Sequence, residues 1–292
     1  MIVINKLAKY TLILFFLAIG TIGMSQENDT LKYIFLGHIK LKQNGLDKVD
    51  PRVAGLDMSY FDRIWLGGDI TDESNLNYET LEYIDSLFDV SNPSNCWAFG
   101  NHDQRNYNDE WLRKITGKNS YYTYFENGIT TMVVNYGITP ADCEQLNDQF
   151  NMIKTVCDTI SESSHLIILS HYCPWRNVPS LPNPFVYGHS DFKNWIANCD
   201  DDAGQFVYSI YPLLKEVKNK GITVINIMGD CGATKGRIME SDHGIYFIAS
   251  GIQANTQDEY GPDRVLLIKH VPANSFLDWE FLNLDSLYAT FQ

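Results

Sequence analysis

Short apolar runs recur along the chain, each followed by a small or polar loop: 33–37 (YIFLG), 63–68 (RIWLGG), 96–100 (CWAFG), 131–135 (TMVVN), 165–170 (HLIILS), 222–228 (ITVINIM), 245–250 (IYFIAS) and 264–269 (RVLLIK). Most are four to seven residues long and rich in Ile, Val and aromatics, which predicts buried strands. Helical spacing lies between several of them. Tyr78, Leu81, Ile84, Leu87 and Phe88 share one helix face, and Leu146, Phe150, Ile153 and Val156 share another. A third helix is expected near 205–220, with Pro212 in its first turn, where a missing N–H does no harm. Strands alternating with helices imply an α/β layered core, with the later strands packed as a second sheet. There is no internal repeat, low-complexity tract or linker, so one domain is the simplest organisation.

The first 25 residues read as a separate device. Lys6 and Lys9 precede an apolar run, Thr11 to Met24, that falls short of the roughly 20 residues a spanning helix needs. Gly23 and Ser25 supply small residues at −3 and −1 of a cut after Ser25. The expectation is a signal peptide over 1–25, a mature domain over 26–292, and a periplasmic or secreted location. No Cys follows the apolar run, so no lipid anchor and no stable membrane attachment are expected after cleavage. Losing Lys6 and Lys9 takes the net charge from −14 to −16. Such a surface repels polynucleotides and anionic membranes. A phosphorylated substrate would need a local positive group, and a metal ion is one.

Six cysteines, Cys96, Cys143, Cys157, Cys173, Cys199 and Cys231, permit disulfides in an exported chain, and buried thiols equally; the pairing stays open. No CxxC pair exists, so a zinc ribbon has no support. Residues 172–195 carry four prolines and many aromatics, which excludes helix and central strand. That stretch reads either as a lid or substrate wall or as a loop packed on the core by its own aromatics.

Chemistry-bearing residues follow five of the predicted strands: Gly37-His38, Gly67-Gly68-Asp69, Gly100-Asn101-His102-Asp103, Ser170-His171 and Gly229-Asp230-Cys231-Gly232. In open α/β sheets this edge is where ligands bind. Carboxylate, amide oxygen and imidazole together suit Zn, Mn or Fe. In this order the clusters resemble the motifs of the calcineurin-like metallophosphoesterases: DxH, GDxx, GNHD/E, xH and GHxH. GGDIT (67–71) looks like the second motif, GNHD (100–103) matches the third in full, and SHYCPW (170–175) looks like the fourth. The segment 121–135 also fits the hairpin that follows GNHD in that family.

The resemblance implies a metallophosphoesterase-like fold, a two-sheet β-sandwich core flanked by helices. It also implies two metal sites sharing one Asp. One maps onto Asp69, Asn101, His171 and Asp230, with Asp230 in place of a His. The other would keep only His38 beside Asp69, because Leu36 and Gly232 stand where an Asp and a His are expected. The expectation is therefore about one divalent ion per chain, Mn, Fe, Zn or Mg. His102 takes the role of the acid that protonates the leaving oxygen, with Asp103 orienting its ring. Lys40 and Lys235 are candidates to replace the lost cation, and Trp175 and Arg176 to wall the substrate. The implied reaction is hydrolysis of a phosphate ester by metal-activated water. The alternative is a catalytically degenerate binding or scaffold protein of an exported complex.

Overall fold

The computed structural model describes residues 30–41, 47–106, 108–138, 141–184, 199, 205–252 and 261–292. The expected leader and the second half of the proline-rich stretch, 185–195, lie outside them. Two mixed sheets stack face to face. In the first, β1 (Leu31–Leu36), β2 (Arg63–Leu66) and β3 (Cys96–Trp97) run parallel, and β10 (Arg264–Val271) and β11 (Phe276–Asn283) join antiparallel, in the order β11-β10-β1-β2-β3. The second contains β4 (Tyr122–Glu126), β5 (Ile129–Val133), β6 (His165–Ser170), β7 (Thr223–Met228), β8 (Arg237–Asp242) and β9 (Ile245–Ser250), in the order β4-β5-β6-β7-β9-β8. Strands β5, β6, β7 and β9 are parallel, with antiparallel edges at β4 and β8. The expectation that the later strands form the second sheet needs correction. The middle six do, while β10 and β11 return to the first sheet because β10 pairs with β1 from Leu31↔His270 to Phe35↔Leu266.

The apolar runs lack alternation because both faces of each sheet are buried. In β1, Tyr33 and Phe35 point between the sheets, where they meet Trp65, Ile167, Leu169, Ile225 and Ile248. Ile34 and Leu36 point the other way, into a cluster with Leu66, Leu81, Ile84 and Phe88. That outer layer is formed by α1 (Pro51–Ala54), α2 (Tyr78–Phe88), α3 (Asp109–Thr116) and α8 (Leu284–Ala289). On the far face of the second sheet lie α4 (Cys143–Thr159), α5 (Phe206–Ser209) and α6 (Tyr211–Asn219), whose Ile153, Phe206 and Leu214 pack on Leu166, Val224 and Phe247. The result is helix, sheet, sheet, helix. Asn77 caps α2 by accepting from the Thr80 N–H at 2.8 Å, and Asp142 caps α4 from Gln145 at 3.1 Å. The single helix expected over 205–220 is broken at Ile210, and Pro212 sits in the first turn of α6. Among the described residues no helix is long and apolar enough to cross a membrane.

Two cross-links are formed. Cys143–Cys199 holds the start of α4, and Cys173–Cys231 joins the loops that follow β6 and β7. Cys96 and Cys157 are buried thiols. A polar clamp ties the first sheet to its helices. Arg52 donates to Asp50 at 2.9 and 3.0 Å, to Asp263 at 2.6 Å and to Asp285 at 2.8 Å. The Asp263 side chain is fully buried, so Arg52→Ala removes a counter-ion of an inaccessible carboxylate and is expected to cost about 2–3 kcal/mol, below the roughly 3–5 kcal/mol of a fully buried pair because Arg52 itself is partly exposed. Urea unfolding measures this, and a loss below about 0.5 kcal/mol would place the pair among ordinary surface bridges.

Candidate functional site

The loops after β1, β2, β3, β6 and β7 meet at the C-terminal edge of both sheets. The sheets are joined there by direct bonds: His171 Nδ1 lies 2.8 Å from the Gly67 carbonyl and His38 Nδ1 lies 3.2 Å from the Ile252 carbonyl. A donor is required at each contact, so the geometry puts the proton of His171 on Nδ1 and leaves Nε2 with its lone pair.

Asp69 is the centre. It is buried, adopts φ 54°, and divides its two oxygens between two groups. Oδ1 accepts from the His102 N–H at 3.1 Å and lies 3.4 Å from His171 Nε2. Oδ2 faces Lys40 Nζ at 3.5 Å, His38 Nε2 at 3.6 Å and His102 Nε2 at 3.7 Å. Burial alone would raise this carboxyl, but His171, His38, His102 and Lys40 outweigh it and hold it well below the usual carboxylate range. Burial pushes the His38 imidazole down to about 4, so that ring is neutral at ordinary pH. Two non-glycine residues with positive φ, His38 at 50° and Asp69 at 54°, lie side by side here, a concentration of strain typical of functional sites.

Beyond Asp69 Oδ1 the site is made of acceptors. Asp230 is fully buried, with Oδ1 3.5 Å from His171 Nε2. His171 Nε2 and Asn101 Oδ1 are buried without a hydrogen-bond partner. Two carboxylate oxygens beside an imidazole lone pair repel one another unless a cation lies among them. The 3.4 and 3.5 Å separations approximate the edge of a tetrahedron of ligands held about 2.1 Å from a divalent ion. Among the described residues no three His, Cys, Asp or Glu side chains form a finished ligand group. The donor set nevertheless suits a hard or borderline divalent cation, with the Asn101 oxygen as a further ligand. Close packing leaves no slack: a Cβ on Gly100 would stand 2.3 Å from Asp69 Oδ1 and 2.9 Å from His171 Cε1.

On the other side of Asp69 the expected register is corrected. Leu36 is fully buried in the helix-side apolar cluster and does not face the site. The two side chains that reach Asp69 from the first motif, spaced i and i+2, are His38 and Lys40. The DxH spacing is thus kept two residues later than the sequence match places it, by an imidazole and an ammonium. Gly232 offers no vacancy for an imidazole, because a Cβ there would lie 2.2 Å from the Ser250 carbonyl carbon and 2.4 Å from the Gly251 nitrogen.

His102 is partly exposed. Its Nδ1 is 2.7 Å from the Asp72 carbonyl and 2.8 Å from Asp72 Oδ1, two acceptors that call for the proton on that nitrogen. Its Nε2 then accepts from Lys40 Nζ at 2.6 Å, with Arg105 Nη2 at 3.1 Å. The orienting role expected of Asp103 is corrected: Asp72 meets the ring, and Asp103 is buried beneath it. Asp103 accepts from the N–H groups of Asp69, Ile70 and Gly100, from the Ser74 hydroxyl and from the Trp97 indole. It is a positioning residue that ties the Asp69 loop to the Asn101 loop. Trp175 is likewise corrected as a substrate wall, since it is fully buried, packs on Phe247 and donates its indole N–H to the Pro182 carbonyl at 2.9 Å. The described part of the proline-rich stretch is therefore packed on the core. Arg176 is exposed, and Lys235 is half-buried at the end of α7 (Gly232–Lys235). Asp72 and Arg105, each three residues past a recognised motif residue, were not expected from the sequence, and that spacing was the available signal.

No protein-family model matches the chain, and no curated protein sequence matches it either. Solved structures do. A novel archaeal phosphodiesterase is 12% identical, with 86% of this chain and 100% of that chain covered and a TM-score of 0.37. A predicted phosphoesterase from Streptococcus pneumoniae TIGR4 is 9% identical, with 88% and 91% covered and a TM-score of 0.38. A Vps29 double mutant from Entamoeba histolytica is 9% identical, with 87% and 99% covered and a TM-score of 0.34. The two stacked mixed sheets with helices on both outer faces are the architecture that the motif resemblance to the calcineurin-like metallophosphoesterases implies.

Proposed function

We propose that the chain is an exported, metal-dependent phosphoric ester hydrolase with a one-metal site. The observation that carries this reading is the approach of Asp69 and Asp230 to His171 Nε2, at 3.4 and 3.5 Å, beside a partly exposed Lys40–His102 pair. Asp69, Asn101, His171 and Asp230 would hold the ion, Mn, Fe, Zn or Mg. A divalent ion there supplies Lewis-acid polarisation of a phosphoryl oxygen and a more acidic water. Asp69 and Asp230 balance its charge, and burial keeps bulk water from competing for the ligands. The His102 ring, held by Asp72 and accepting from Lys40 at Nε2, would serve as the acid for the leaving oxygen once Nε2 itself carries that proton. The two cystines favour an oxidising compartment, in agreement with a leader over 1–25 and a working domain over 26–292.

A binding or scaffold role is the second reading. The contact of Lys40 with Asp69 favours it, because it gives Asp69 a counter-ion without any metal. Metal analysis of the purified protein, with assays on aryl phosphate mono- and diesters with and without added metal, separates the two. Bound divalent ion with metal-dependent turnover is expected. Absence of both would leave the binding role.

A further inference from the structure

The Lys40 ammonium is held in place rather than left to roam. Because the Nδ1 proton of His102 is committed to Asp72, Nε2 is an obligate acceptor, and Lys40 Nζ donates to it at 2.6 Å. Asp72 Oδ1 at 3.3 Å and Asp69 Oδ2 at 3.5 Å flank the same nitrogen. Three acceptors from two loops thus fix one positive charge beside Asp69 Oδ2, whereas His171 lies at Oδ1. The Lys40 side chain is 14% exposed, whereas those of His171 and Asp230 are fully buried, so the ammonium lies nearer the surface than they do. Arg105, 41% exposed, stands next to it, with Nη2 3.1 Å from His102 Nε2 and Nη1 3.8 Å from Asp72 Oδ2.

We infer that Lys40 is the second cation of the site and binds a non-bridging oxygen of the substrate phosphate, with Arg105 as an outer contact. Asp69 supports this because its Oδ2 faces Lys40 while its Oδ1, on the His171 side, is left for a metal ligand role. Phosphoryl transfer needs positive charge on the phosphoryl oxygens, and a fixed ammonium supplies it. Holding the ammonium beforehand with His102 and Asp72 lowers the ordering cost of binding. The inference rests on the hydrolase reading but concerns Lys40 alone.

The test is calorimetric titration of the Mn-loaded full chain with inorganic phosphate, alongside elemental analysis. Lys40→Met is expected to weaken phosphate by about tenfold or more, the usual worth of a charge-assisted bond, while bound metal stays unchanged. Lys40→Arg should retain more phosphate affinity than Lys40→Met, since it keeps the charge though not the compact ammonium. Circular dichroism checks the fold, and Lys40→Gln replaces Lys40→Met if that variant fails to fold. Unchanged phosphate affinity in the neutral variant, with metal retained, overturns the role of Lys40 and leaves the hydrolase reading standing. A parent that binds neither metal nor phosphate overturns both.

Discussion

Asp103→Ala is expected to cost at least about 4 kcal/mol of stability, well beyond an ordinary substitution. One fully buried carboxylate accepts from three backbone N–H groups, a hydroxyl and an indole, and alanine leaves all five donors without their acceptor. The loss is not confined to stability. Three of those donors, on Asp69, Ile70 and Ser74, belong to the loop after β2, so the loop that carries Asp69 loses three of its bonds to the loop that carries Asn101. Asp103→Asn keeps one acceptor oxygen but turns an amide N–H₂ towards the remaining donors, so its cost should also be large. Urea midpoints at unchanged m-value report the effect. A loss under about 1 kcal/mol would show that the donors find other partners, and would remove Asp103 from the supports of the site.

The purified chain is expected to bind one tight divalent ion, and Asp230→Ala should weaken it by more than the about 10–100-fold that changes around a metal's ligands typically cost. Asp230 is fully buried and supplies one of two carboxylates, so its loss removes a ligand and half of the neutralising charge. His38→Ala should leave that ion in place, because His38 faces Asp69 Oδ2, on the Lys40 side. A second ion is expected only when His38→Asp and Lys40→His are combined, which restores an Asp and a His at the two positions that face Asp69. Leu36→Asp with Gly232→His should damage folding, since it buries a carboxylate in an apolar cluster and drives a side chain into the Ser250–Gly251 backbone. Elemental analysis of each variant decides between these outcomes. Two ions in the parent would refute the one-metal site.

Much of the site was legible because it is locally encoded. Each cluster follows an apolar strand, and a chain leaving a parallel strand must turn at the same edge of the sheet, so the loops that carry Asp69, Asn101, His102, His171 and Asp230 were bound to meet. Side-chain direction was less legible. Leu36 and His38 differ by two residues, but the backbone leaves the strand after Leu36 and reaches φ 50° at His38, which reverses what an extended register would give. Asp103 reads as one half of GNHD, yet its burial under the Asp69 loop is a contact across 34 residues that no local pattern carries.

The sequence by itself determined the elements and the inventory of the site. Local apolar runs make buried strands, glycine and proline mark where they stop, and the residue types after those stops limit the chemistry to Asp, Asn and His donors. Tertiary structure decided what needs distant segments to meet. It sent β10 and β11 back to β1, paired Cys143 with Cys199 and Cys173 with Cys231, and placed Lys40, Asp72 and His102 in one cluster. The physical reason is range. Strand and turn propensities act over a few residues, whereas pairing register, disulfide partners and the sharing of Asp69 between His171 and Lys40 depend on packing between loops that are adjacent only after the two sheets have closed on each other.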